Sequence, residues 1–277
     1  MGELPEVHLP SQFSDALRSI VRYRKSIGEE ITMLKNRIHA LLSGHGIIID
    51  ATDIFGKKGT AQILNASSVL PEADRFVLSG LIERIWQLRD QAMAVEDQIS
   101  KMVVNNGNVA GIMTVPSLNV YSASAIMADI DDISRFSTKE KLASYAGLVP
   151  RQDQSGNRDI KDHISKHGPS MLRFILVNAA HIVIKYSERM RKKYLSIVRK
   201  LGRNRAIVAI ARILLETIYT LLKKGEDFID QIDTLTEKKM KSMKERAKNP
   251  SGIKKVEEAI TYIREERIKG PLKELFS

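Results

Sequence analysis

Two stretches of this chain repeat apolar residues in alternating steps of three and four, and no other feature constrains the fold as much. The first runs Phe13, Leu17, Ile20, Ile27, Ile31, Leu34, Ile38 and Leu41, with Arg24 at the one position that interrupts it. The second runs Leu78, Leu81, Ile85, Leu88, Ala92, Val95, Ile99 and Met102. Such spacing draws one apolar stripe along a long helix, and that stripe must be buried against something. The ends are also marked. Ser11 after Pro10 suits an N-cap, Gly44 with Gly46 suits a stop, and Pro71 followed by Glu72 and Asp74 suits a helix start. The expectation is a long antiparallel coiled-coil hairpin of helices at about 11–45 and 72–104. Its seams close on each other or on a second copy of the chain. Arg24 disfavours a dry seam unless an acidic side chain meets it.

Between the two helices, residues 47–71 hold a short apolar run, Ile47-Ile48-Ile49, room for one short helix, and Gly56-Lys57-Lys58-Gly59, which reads as a solvated turn without phosphate-loop spacing. Asn105-Asn106-Gly107-Asn108 marks a boundary. The region beyond it reads as all-helical. Val115-Pro116 and Ser117-Leu118-Asn119 precede a small-residue helix from Ser122 to Ile130, in the outline of a helix-hairpin-helix. That hairpin either presents backbone N–H groups to a phosphate or is a plain tight turn. Gly168-Pro169 opens a helix with Leu172, Ile175, Leu176, Ala179, Ala180 and Val183 on one face. A partner from about Arg203 to Leu222 carries Ala206, Ala209 and Ala211, small enough for close helix contact. The fold class expected is mainly α. The division expected is a coiled-coil connector at 1–106, a helical domain at 107–224 and an amphipathic helical tail at 225–277.

Charge narrows the function. The net charge is +11, and residues 151–224 hold 17 Lys/Arg against 5 Asp/Glu, so the rest of the chain is close to neutral. Basicity gathered in one segment is an electrostatic footprint for a polyanion, nucleic acid first and an acidic membrane surface second. The lack of aromatic anchors beside the basic cluster counts against the membrane. A hydrophobic content of 43% excludes a disordered tail protein, and the absence of cysteine excludes disulfides and thiolate metal sites. With no long apolar run, the expectation is a cytoplasmic, nucleoid-associated protein.

The densest cationic cluster is Arg189-Met190-Arg191-Lys192-Lys193. Upstream, Ser155-Gly156-Asn157 sits in a polar loop with Arg151 and Arg158 beside it and Lys161 and Lys166 after it. A serine hydroxyl among cations is equipped to hold or attack a phosphodiester, although Ser-Gly in a polar loop is also ordinary turn chemistry. Of His163, His167 and His181, the first two are four apart, but Gly168-Pro169 interrupts any helix after them and no third ligand is evident, so a phosphate-contacting or exposed role is expected in place of a metal. Asp129, Asp131 and Asp132 close a helix, where capping by Asp132 explains its position at least as well as a metal does.

Several strings together resemble the transposases of the insertion-sequence 110 group, which are bridge-RNA-guided DNA recombinases. They are Val115-Pro116 with the small-residue helix, Asp131-Asp132-Ile133-Ser134-Arg135-Phe136, Leu142-Ala143-Ser144-Tyr145-Ala146-Gly147-Leu148-Val149-Pro150, and Ser155-Gly156. Ile164-Ser165-Lys166-His167-Gly168, Leu172-Arg173 and Ala209-Ile210-Ala211-Arg212 continue the series. The likeness covers about 111–222, and the heptad helices resemble the family's connector. It implies Ser155 as nucleophile and Arg151, Arg158, Lys161, Lys166, Arg173 and Arg212 as nucleic-acid contacts, to which the charge cluster adds Arg189, Arg191, Lys192 and Lys193. It also implies DNA and a structured guide RNA as partners, while the heptad seams add a homo-oligomer through the coiled coil. The family's four-carboxylate metal site belongs to a RuvC-like nuclease domain that this sequence lacks, so no cofactor is expected in the chain. The reading is a transposition or recombination protein, inactive without that domain; the alternative is a non-catalytic, oligomerising fragment that regulates a complete transposase.

Overall fold

A computed structural model of the protein describes residues 9–51, 53–153, 160–164, 168–250 and 252. The architecture is mainly α-helical. The described residues of 1–22 and 98–249 form one compact unit, and those of 23–97 and 250–277 form another.

In the second unit, most of helix α1 (Gln12–Gly44) and of helix α3 (Glu72–Val103) pair with each other. Arg24 meets Glu96 at 2.8 Å, Glu30 meets Arg84 at 2.9 Å, and His45 lies 2.8 Å from Asp74. Partner numbers fall on one side as they rise on the other, so the two helices are antiparallel. Ile27, Leu34, Ile38 and Leu42 are buried from α1, and Leu78, Ile82, Ile85, Leu88, Ala92 and Val95 from α3. The centres of both stripes follow the repeat in the sequence, whereas the ends drift. Leu42 is buried in place of Leu41 and Ile82 in place of Leu81, and at the start of α1 Leu17 and Val21 are buried while Phe13 is 42% exposed. A helix of 3.6 residues per turn slips against a 3.5-residue repeat, and over several turns the buried stripe moves to the neighbouring position. Arg24 occupies the seam because Glu96 meets it there, with both side chains mostly covered.

Between them, α2 (Lys57–Ala66) and a 3-10 turn at Ser67–Val69 cover the pair with Phe55, Ile63 and Leu70. The Gly-Lys-Lys-Gly string is thus the opening of a helix and not the solvated turn the sequence suggested. The Asp53 side chain accepts from Phe55 N–H at 3.1 Å, and Thr60 N–H reaches Gly56 O at 2.8 Å, so the chain is already winding there.

The first unit is built on α9 (Arg203–Lys224), which packs against α4 (Gly107–Met113), α6 (Lys139–Tyr145), α7 (Ser170–Tyr186) and α8 (Glu188–Leu201). Ala206, Ile207, Ile210, Ala211, Leu214, Leu215, Ile218 and Leu221 of α9 are buried, and so is the entire apolar face expected of α7. Residues 120–130 form α5, whose last eight residues are all buried. The expectation of an all-helical region fails between α6 and α7. There β1 (Pro150–Asp153) pairs antiparallel with β2 (Ile160–Ile164), Asp153 opposite Ile160 and Pro150 opposite Ile164, with one extra residue on β2. Pro150 lacks an N–H and pushes Val149 out of the helical region, so a helix cannot continue through it.

Residues 225–249 pack onto the same unit. Phe228 and Met243 are buried, and α10 (Asp233–Lys248) sends Lys239 to the end of α4. Its Nζ donates to the carbonyls of Met113 and Val115, both at 2.7 Å, while Phe228 N–H donates to Thr114 Oγ1 at 2.9 Å. A helix end leaves carbonyls without intrahelical donors, and a lysine is a fitting partner for them. Burial pushes the Lys239 ammonium down to about 8.

Candidate functional site

Asp131 and Asp129, at the end of α5, hold two other helix starts. Asp131 accepts from Ser11 N–H at 3.1 Å, from Ser11 Oγ at 2.7 Å and from Ser14 Oγ at 2.6 Å, while Ser11 Oγ itself accepts from Ser14 N–H. Ser11 is therefore the N-cap that the sequence indicated, and a carboxylate 120 residues away stabilises it. Asp131 reaches this position at φ 61°, the one left-handed non-glycine among the described residues. Asp129 is buried beside Arg18 (3.6 Å) and also accepts from the N–H of Leu172 in the first turn of α7. Burial raises its carboxyl above the ordinary range, against the pull of Arg18 and Arg22. Asp132 caps the following turn by accepting from Ser134 N–H at 2.8 Å, and the Ser134 hydroxyl keeps its carboxyl low. Each acid thus has a cap or a cation to serve. Among the described residues no group of three His, Asp or Glu side chains could hold a metal ion.

In the turn between α4 and α5, Asn119 Oδ1 accepts from Ser122 N–H at 3.0 Å and Ser122 Oγ accepts from Asn119 N–H at 2.8 Å, a capping box that satisfies two of the backbone donors at this helix start.

The β-hairpin leaves the helical unit through a pinched base. A Cβ on Gly168 would lie 1.9 Å from the carbonyl oxygen of Tyr145, and Gly168 has φ +84°. The outgoing and returning chains therefore touch at a point where only glycine fits. Arg173, one turn into α7, donates to Ala146 O and to Gly168 O, each at 3.1 Å, and so clasps one strand of this base to the other. Arg135 lies over the rings of Phe136 and Tyr145 at 4.6 and 4.8 Å, and Tyr145 Oη donates to Asp129 O at 3.1 Å. The hairpin base is thereby tied through Tyr145 to the buried Asp129.

Arg151 and Lys161 belong to the two strands, on either side of the six-residue connection 154–159. Ser155 and Arg158 in that connection, and Lys166 after β2, lie outside the described residues. Arg212 is held by Glu216 at 2.8 Å on α9. On α8, Arg189 is drawn to Asp230 (3.6 Å) and lies over the Phe228 ring, and Lys192 pairs with Glu188 one turn back at 2.8 Å. Arg191 is exposed and its charge helps hold the Glu188 carboxyl low, whereas Lys193 is exposed with no acidic partner among the described residues. Arg199 and Lys200, at the far end of the same helix, are likewise exposed and have no acidic partner among the described residues. They stand outside the set picked from sequence because no dense run marks them.

Residues 110–195, from within α4 to within α8, match the pattern described as the Transposase IS116/IS110/IS902 family. That span is similar to the transposases of this family. The matched span includes the buried Asp129, the clasped hairpin and α7 in full. Among curated relatives, the transposase for insertion sequence element IS1111A of Coxiella burnetii is 27% identical over 219 residues, 76% of this chain and 60% of the relative. The transposase for insertion sequence element IS1328 of Yersinia enterocolitica is 24% identical, covering 62% and 51%. The pilin gene-inverting protein of Moraxella lacunata is 31% identical over 158 residues, covering 56% and 46%. The chain spans about half the length of the curated relatives it matches. No described helix is long and apolar enough to cross a membrane.

Proposed function

We propose that this chain is the DNA-handling part of a transposase or recombinase. It binds DNA and a structured guide RNA at the nucleoid, associates with further copies through the α1/α3 pair, and offers Ser155 as nucleophile. Its catalytic unit is the family domain at 107–224, with the helical pair before it as connector. The observation that carries the reading is the family match over 110–195 combined with the clasped base of the hairpin, which fixes the roots of the segment containing Ser155. A nucleophile for phosphoryl transfer must be positioned and surrounded by cations. Arg151, Arg158, Lys161 and Lys166 are the cations nearest to it in sequence, and Arg173 serves as the residue that positions the loop.

In the proposed step the Ser155 Oγ attacks a backbone phosphorus. One phosphoserine ester bond forms as the bond to the departing sugar oxygen breaks. The hydroxyl proton is lost on attack, and the released sugar oxygen takes up a proton. On the resemblance to the insertion-sequence 110 transposases, any metal-dependent part of strand cleavage would come from a RuvC-like domain. The test is to combine the full chain with a separately produced RuvC-like domain and labelled DNA and to look for a covalent protein–DNA adduct that Ser155→Ala abolishes. An adduct that persists in Ser155→Ala removes Ser155 from the mechanism. DNA binding without any adduct leaves a non-catalytic regulator of a complete transposase.

A further inference from the structure

Helix α8 turns Met190 inward, and Tyr194, Ile197 and Val198 are half-covered on that same side. Its outward face carries Lys192 and Lys193 and, seven residues on, Arg199 and Lys200, all exposed. Seven residues are two turns, so the two cationic pairs stand on one side of the helix about 10 Å apart. Lys193, Arg199 and Lys200 have no acidic partner among the described residues. Lys192 has only Glu188, in a pair whose two side chains are each at least three-quarters exposed and therefore weakly bound. Arg189 differs, being engaged by Asp230 and Phe228. Arg199 and Lys200 also suit the negative end of the helix, but that account does not extend to Lys192 and Lys193 in its middle.

We propose that the outward face of α8 is a docking ridge for the sugar–phosphate backbone of duplex DNA, held without sequence reading through Lys192, Lys193, Arg199 and Lys200. This rests on the reading that the chain handles DNA. Charge complementarity argues for the occupant: a cationic strip with a single acid, Glu188, on its helix fits a polyanion and repels a basic partner. The 10 Å between the pairs is about three base-pair steps of one strand, within reach of flexible side chains. A single strand is the weaker fit because it binds on exposed aromatic platforms, and Tyr194, the one aromatic residue of α8, is half-covered on the inner side.

The test uses the full chain and labelled duplex DNA of arbitrary sequence, with affinity measured by fluorescence anisotropy over a range of salt. The wild type binds with a steep salt dependence. In the fourfold variant Lys192→Gln/Lys193→Gln/Arg199→Gln/Lys200→Gln the slope falls by about three to four, so the affinity change between about 50 and 200 mM salt shrinks by about a hundredfold. Arg189→Gln leaves the slope unchanged. Arg199→Gln and Lys200→Gln alone, each lowering the slope by about one, serve as the test if the fourfold variant does not fold. A wild type that does not bind duplex DNA overturns both the DNA-handling reading and the ridge. A wild type that binds while the variants keep its slope overturns the ridge alone. A larger loss on single-stranded DNA or on duplex RNA than on duplex DNA overturns the assignment of the occupant.

Discussion

Alanine at Gly168 introduces a Cβ 1.9 Å from the Tyr145 carbonyl oxygen, far inside any contact distance, at a residue with φ +84°. Two costs follow, and a second glycine separates them. Gly225 ends α9 in the left-handed conformation, φ 67° and ψ 30°, with nothing within 4 Å of an added Cβ. Gly225→Ala therefore carries the conformational cost alone, about 1–2 kcal/mol. Gly168→Ala carries a similar cost plus that of forcing the two strands of the hairpin base apart. The colliding atom is backbone and cannot swing aside, so overpacking adds about 1–3 kcal/mol more, for a total of about 2–5 kcal/mol. The variant also weakens the Arg173 clasp, whose acceptors are the carbonyls of Ala146 and Gly168. Urea denaturation of both variants measures the difference. Expected is an excess loss in Gly168→Ala of at least about 1 kcal/mol over Gly225→Ala, with protease cleavage of the variant concentrated in 148–168. Equal losses refute the argument that the hairpin base is sterically closed.

Arg173→Met keeps the aliphatic stem but removes both donors to the hairpin base, and with two charge-assisted bonds lost the unit is expected to lose about 2–4 kcal/mol in urea denaturation. Glu96→Gln leaves Arg24 in the α1/α3 seam without its counter-ion, and a drop in melting temperature larger than that of the exposed control Glu83→Gln is the expected calorimetric result. Lys239 titrates near 8 in the fold and near 10.5 when unfolded, so between these values the unfolded chain binds more protons and stability rises with pH. Urea midpoints measured from pH 8 to 10 should therefore climb in the wild type, and Lys239→Met should flatten the climb.

Much of the helical framework was legible because it rests on local rules. The three-four repeat located α1 and α3, Ser11 and Pro71 marked their starts, and the apolar face of α7 was read in full. The reading slipped where local rules run out. The stripe ends shifted by one position as helical pitch accumulated, and Lys57-Lys58, which looked like a turn, opens a helix. Pro150 signalled a break, but pairing across 154–159 depends on both strands and so escaped a reading that scanned for helices.

The site divides in the same way. Sequence by itself determined that the chain is mainly helical, that positive charge gathers in 151–224, and that a serine lies between basic segments within a recognisable transposase pattern. Only the tertiary structure decided what individual charges do. Arg173 clasps a hairpin base, Arg189 and Arg212 meet acids, and Lys239 closes a helix 126 residues away, whereas Lys193, Arg199 and Lys200 are exposed and meet no acid among the described residues. The physical reason is range. Periodicity and capping act over a few residues and leave their mark in the string, while the partner of a cation is chosen by which distant carbonyl or carboxylate the packed chain brings within about 3 Å.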